Sequence, residues 1–115
     1  MRRVEKPWGY ELIWAEGRSY VGKILHVSAG HRLSRQYHNV KEETMMVLSG
    51  EVEIELGQGE TAVARIYGPG EAIHIPPRTI HRLIAKTDVD VVEVSTPELD
   101  DVVRLEDVYG RAVKD

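Results

Sequence analysis

The chain has 115 residues, a mass of 13.0 kDa and a formal net charge of −4, and these figures exclude several classes at once. One domain spanning 1–115 is expected at this length, and 42% hydrophobic with 30% charged residues is a globular composition. The acidic balance argues against nucleic-acid binding through a basic surface, and no apolar stretch is long enough to span a bilayer. The absence of cysteine removes disulfides, thiolate metal sites and cysteine nucleophiles. The opening Met1-Arg2-Arg3-Val4-Glu5-Lys6-Pro7 carries no apolar h-region, so a cytoplasmic protein is expected.

Glycine and proline recur at roughly eight- to twelve-residue intervals, the punctuation of an all-β sandwich or barrel. The runs between them predict strands over Tyr10–Trp14, Tyr20–Val27, Glu43–Ser49, Glu51–Leu56, Thr61–Ile66, Glu71–Ile75, Ile80–Ala85 and Val89–Ser95. Glu51-Val52-Glu53-Ile54-Glu55-Leu56 alternates acid and apolar residue, as a strand with one wet face does. Gly57-Gln58-Gly59 and Gly68-Pro69-Gly70 supply tight connections. Only Pro97–Tyr109, with Leu99, Val102, Val103 and Leu105, has a spacing that suits a short helical or irregular tail.

Five histidines are the residues most suited to chemistry: His26, His31, His38, His74 and His81. Gln36 and His38 lie two apart, so on one strand their side chains leave the same face. Glu43 follows five residues later, close enough for a hairpin, and shares its parity with Met45 and Val47. His81 comes from a distant strand after Pro76-Pro77. Two imidazoles, an amide oxygen and a carboxylate would suit zinc, iron, manganese or nickel. His74 reads as a surface residue, while His26 and His31 have no ligand-like spacing. Trp8 and Trp14 read as core or subunit-contact residues, and Met45 and Met46 as packing.

Gly30, five residues, Gln36-Tyr37-His38, four residues, Glu43, six residues and Gly50 resemble the first cupin motif, G-x5-H-x-H-x(3,4)-E-x6-G. Gly70, five residues, Pro76 and then His81 resemble the second. The resemblance implies a double-stranded β-helix, the cupin jelly-roll barrel, with one divalent metal held by Gln36, His38, Glu43 and His81. Three positions depart from the pattern: Gln36 for histidine, Arg78 for glycine and Ala85 for asparagine. Leu33-Ser34-Arg35-Gln36-Tyr37-His38 is similar to the L-S-x-Q-x-H run of phosphomannose isomerases. Lys6-Pro7-Trp8-Gly9-Tyr10-Glu11, Ile75–Leu83 and Val102–Arg111 are similar in turn to segments of the type II, bifunctional mannose-6-phosphate isomerases, within their C-terminal cupin domain. The nucleotidyltransferase domain that precedes the cupin in that group is not in this sequence, so GDP-mannose synthesis is not implied.

The resemblance implies an aldose–ketose isomerase acting on mannose 6-phosphate. Zinc is the first choice of metal, with manganese, iron, nickel or cobalt as others. Lys41, two residues before Glu43, is the expected catalytic residue, either stabilising negative charge or acting as base if burial lowers its pKa. Ser34 with Arg32, Arg78 or Arg82 is expected to bind the sugar phosphate; Arg104 and Arg111 reach the mouth if the C-terminal segment folds back over it. Two other readings stand beside this one: a sugar-phosphate-binding cupin without turnover, and a metal-dependent dioxygenase. A homodimer is expected from the apolar strand Tyr10-Glu11-Leu12-Ile13-Trp14.

Overall fold

A computed structural model describes residues 1–111; 112–115, the end of the expected domain, lie outside the described residues. The strands are β1 Arg2–Lys6, β2 Gly9–Glu16, β3 Val21–Val27, β4 Arg35–Tyr37, β5 Glu43–Ser49, β6 Val52–Leu56, β7 Val63–Tyr67, β8 Ala72–Ile75, β9 His81–Ala85, β10 Val89–Ser95 and β11 Val103–Glu106. They form a six-stranded sheet A in the order β1-β2-β3-β10-β5-β8 and a five-stranded sheet B in the order β11-β4-β9-β6-β7. Every pairing is antiparallel. The fold is all-β, a double-stranded β-helix. Apart from a 3₁₀ turn at Gly59–Thr61, the described residues contain no helix.

Strict alternation decides which face of each strand enters the space between the sheets. In β5, Glu43, Met45 and Val47 point in while Thr44, Met46 and Leu48 point out. In β10 the inward set is Val89, Val91, Glu93 and Ser95, and in β3 it is Val21, Lys23, Leu25 and Val27. Leu25, Val27, Met45, Val47, Val52, Ile54, Leu83, Val89 and Val91 fill one end of this space. Each such buried aliphatic side chain contributes about 1.5–3 kcal/mol. Polar inward residues are left for the other end, and that end is the site.

All eight predicted strands are present, with ends shifted by at most two residues. Three more strands were not predicted. β1 is a charged edge strand, β4 is only three residues long, and β11 lies inside the expected tail. The tail is therefore a crossing segment that ends in a strand on β4, and no helix forms there. The expected hairpin between His38 and Glu43 is absent as well. β4 belongs to sheet B and β5 to sheet A, so the chain between them changes sheets. Another change of sheet, between β5 and β6, uses Gly50 at φ 83°, where a Cβ would run into the carbonyl of Asp88.

The outer face of sheet A carries an apolar row in register, Leu12, Ile24, Val92 and Met46, flanked by the exposed side chains of Trp14, Val94 and Leu48. No helix among the described residues is long and apolar enough to cross a membrane.

Candidate functional site

Three side chains from three strands or their margins meet at the polar end. His38 follows β4, His81 opens β9 and Glu43 opens β5. All three are buried, and their ligand atoms lie within 4.8 Å of one another. The Nε2 atoms of His38 and His81 stand 3.4 and 3.2 Å from the same oxygen, Oε1 of Glu43. Each ring is set by a backbone carbonyl. His38 donates Nδ1–H to Asp101 at 2.5 Å, and His81 donates Nδ1–H to Thr79 at 2.8 Å. A carbonyl only accepts, so in the neutral ring the other nitrogen, Nε2, is left with its lone pair.

Two lone pairs and a carboxylate oxygen thus converge, and a cation or a proton has to sit among them. His38 Nε2 is buried and has no hydrogen-bond partner. Nitrogen donors with one hard oxygen, oriented from behind by carbonyls, are the donor set of a divalent metal centre. The residues fit such an ion. Gln36 faces His81 in register across β4 and β9, lines a cavity together with His38 and Glu43, and accepts a hydrogen bond from Ser34 Oγ at 3.1 Å.

Lys41 enters the cavity from the loop before β5. Its Nζ lies 3.3 Å from Oε2 of Glu43 and 3.1 Å from Oε2 of Glu93. Burial works against the ammonium, but the two carboxylates outweigh it and raise the Lys41 pKa. Of the two roles expected for Lys41, the raised pKa favours stabilising negative charge over acting as a base. Burial also pushes the Glu43 carboxyl up, yet the contacts from His38 and His81 and the Lys41 charge hold it well below the usual carboxylate range. Glu93 moves the other way, raised by burial and by the neighbouring Glu43 charge.

The remaining expected site residues divide. Ser34 is buried in the cavity wall. Leu33 faces the cavity too, so the backbone does not alternate there, and the parity argument fails to reach Arg32. Arg32 does not line the cavity. Arg82, next to His81 on β9, necessarily faces the opposite side of sheet B. There its Nε donates to the Leu33 carbonyl at 3.0 Å and its guanidinium lies 3.7 Å from Glu106. Arg78 is exposed at φ 63°, the left-handed region that suits the glycine of the cupin pattern. It too does not line the cavity, and its N–H donates to the His38 carbonyl at 2.7 Å.

Several cavity residues were missed in the sequence. Glu11, Lys23 and Glu93 occupy inward positions of β2, β3 and β10, and Lys23 pairs with Glu11 at 3.1 Å. The signal was a charge at a parity otherwise held by apolar residues. The C-terminal segment does fold back: Leu99, Val102, Arg104 and Arg111 line the cavity. His26 pairs with Asp90, His31 with Tyr109 and His74 with Glu42, and none of the three belongs to the candidate metal cluster.

The family described as "Mannose-6-phosphate isomerase C-terminal" matches residues 1–107. The chain belongs to that family. Among curated relatives of this cupin, mannose-1-phosphate guanylyltransferase ManC of Salmonella typhimurium is 39% identical across 96% of the chain. Mannose-1-phosphate guanylyltransferase of Escherichia coli is 37% identical and the alginate biosynthesis protein AlgA of Pseudomonas aeruginosa 32%, each over 96% of the chain. The chain spans about a quarter of those proteins, 23% in each case. KdgF from Halomonas sp. superposes with a TM-score of 0.75 at 22% identity, covering 87% of this chain and 89% of that one. Bacillus subtilis oxalate decarboxylase, described with Mn(II) centres, superposes at 0.77 and 16% identity, covering 91% of this chain and 30% of that one. These two likenesses show the cupin fold.

Proposed function

We propose that this cupin interconverts mannose 6-phosphate and fructose 6-phosphate, with His38, Glu43, His81 and Gln36 holding one divalent ion. The observation that carries the reading is the convergence of both Nε2 atoms on one Glu43 oxygen at 3.4 and 3.2 Å, facing a cavity rich in cations. The family description and the mannose-phosphate names of the relatives support the choice of substrate. Their guanylyltransferase activity belongs to proteins of which the chain spans 23%.

A divalent ion held by His38, Glu43, His81 and Gln36, zinc first, would supply Lewis acidity, polarising the sugar carbonyl and steadying negative charge on its oxygens. The chain's own residues do the rest. Isomerisation moves a proton from C2 of the aldehyde form to C1, while the O2 hydroxyl proton passes to O1. Glu93 takes and returns the carbon-bound proton in this reading, since Glu43 is occupied as a ligand and Glu11 is held by Lys6 and Lys23. Lys41, fixed between Glu43 and Glu93, stabilises the charge that develops on the oxygens. Leu99 and Val102 of the crossing segment add apolar side chains to the cavity wall.

Solvent exchange tests the reading. In D2O with zinc, the chain is expected to place deuterium at C1 of fructose 6-phosphate and C2 of recovered mannose 6-phosphate. Binding of the sugar phosphate with neither deuterium in either sugar nor any fructose 6-phosphate formed would favour the reading without turnover.

A further inference from the structure

Five cations line the cavity, Lys6, Lys23, Lys41, Arg104 and Arg111, against three carboxylates, Glu11, Glu43 and Glu93. Four of the cations are engaged. Lys6 and Lys23 meet Glu11 at 3.7 and 3.1 Å, Lys41 sits between Glu43 and Glu93, and Arg111 grips Asp107 with Nε at 2.8 Å. Arg104 is the exception: among the described residues its guanidinium has no ion pair and no hydrogen bond, and its Nε is buried without a partner. A buried guanidinium donor left unmade is costly, so the position is held for a ligand that is itself an acceptor.

Register fixes where that ligand would lie. Arg104 on β11 faces Gln36 on β4, and Gln36 faces His81 on β9, so the three form one cross-strand row on the inner face of sheet B. Two strand spacings put Arg104 roughly 10 Å from the His81 backbone. That separation suits a six-carbon chain with its carbonyl end at the metal-binding cluster and a phosphoryl group on its far carbon. Burial and the neighbouring Arg111 both lower the Arg104 pKa, an electrostatic cost that an anion beside the pair relieves.

We infer that Arg104 is the anchor of a phosphoryl subsite, with Arg111 and Lys6 adding positive charge to the same cavity. The inference rests on the isomerase reading for the rest of the substrate, but the subsite itself needs only a phosphoryl dianion. A planar guanidinium binds two phosphate oxygens at once, which lysine does not do. The cations expected from the sequence, Arg32, Arg78 and Arg82, do not line the cavity, so Arg104 replaces them in this role.

The test titrates inorganic phosphate, mannose 6-phosphate and mannose separately into the 115-residue chain, each with and without a chelator to separate anion binding at the metal. Arginine Nε–H resonances are followed by NMR. Phosphate and mannose 6-phosphate are expected to shift the Arg104 Nε–H signal without metal, and mannose to leave it in place. Arg104→Gln is expected to weaken both phosphorylated ligands about 10- to 100-fold, Arg104→Lys less, and Arg65→Gln, an exposed cation outside the cavity, not at all. Because the wild-type signal is read directly, a misfolded variant does not decide the matter. Phosphate binding that leaves the Arg104 signal unmoved would overturn the subsite. Turnover of mannose 6-phosphate with an unaltered KM in Arg104→Gln would also overturn it while sparing the isomerase reading. Phosphate on Arg104 without turnover would do the reverse.

Discussion

His38 and Asp101, 63 residues apart in the chain, are tied twice: the His38 ring donates to the Asp101 carbonyl, and the Asp101 carboxylate accepts the N–H groups that follow His38. Its Oδ1 takes Asn39 at 3.0 Å, and its Oδ2 takes Val40 at 2.7 Å and Lys41 at 2.9 Å. One residue of the crossing segment therefore orients a candidate ligand and also fixes the loop that delivers Lys41.

The Asp101 carboxyl is correspondingly lowered from 3.8 to about 2, first by the Val40 and Lys41 N–H groups and then by Asn39. A depressed native pKa means that this contribution to stability is complete above the unfolded value near 3.8 and is lost as pH falls through about 2. NMR titration of the Asp101 side chain is expected to give that low value. Asp101→Asn is expected to flatten the acid limb of stability between those two pH values and to increase amide exchange at Asn39–Lys41. A normal Asp101 pKa would contradict the loop geometry.

Metal binding is expected to stabilise the fold through His38, Glu43 and His81. At a hundredfold excess over Kd, zinc should add about 2.7 kcal/mol to unfolding of the wild-type chain. Thermal melts of His38→Ala/His81→Ala should show no such gain, with bound metal falling to background in elemental analysis. Equal metal content in both proteins would remove the centre.

Lys41 and Glu93 form a buried pair, so breaking one side costs more than removing both. Lys41→Met is expected to destabilise by about 3–5 kcal/mol, because it leaves Glu93 buried without its cation. Chemical denaturation of Lys41→Met/Glu93→Leu should recover much of that loss. Both proteins should lack proton transfer. Additive losses in the double variant would show that the two residues do not act as a pair.

A homodimer through the outer face of sheet A is the assembly proposed here, since Leu12, Ile24, Val92 and Met46 form one apolar row beside exposed Trp14 and Val94. Light scattering is expected to give twice 13.0 kDa, and Met46→Glu/Val94→Glu to halve it. A concentration-independent monomer in the wild type would contradict this assembly.

The strands legible in the sequence are those whose alternation runs uninterrupted: β5 and β10 have the ends their patterns predict. β1 and β11 escaped because an edge strand needs no apolar face of its own, and at β11 the aliphatic spacing also fits a helix. His38, Glu43 and His81 were legible as a cluster because inward parity and the cupin spacing agree on them. Arg82 lies on the outer side of sheet B because its neighbour His81 points in, as alternation along β9 requires. Glu93 and Lys23 were readable in the same way, as charges at positions where valine and leucine otherwise point in. Arg104 depended on β11 pairing with β4, a contact 68 residues apart in the chain that no local pattern announces.

The central claim, metal-assisted isomerisation by this cupin, is tested most directly by a coupled assay of mannose 6-phosphate to fructose 6-phosphate. Zinc, manganese, iron, cobalt and nickel are supplied in turn, and the chain is compared with His38→Ala/His81→Ala. Turnover is expected with at least one ion, abolished by a chelator and in the double variant. No turnover with any of the five ions, from a folded chain that binds the sugar phosphate, would contradict it.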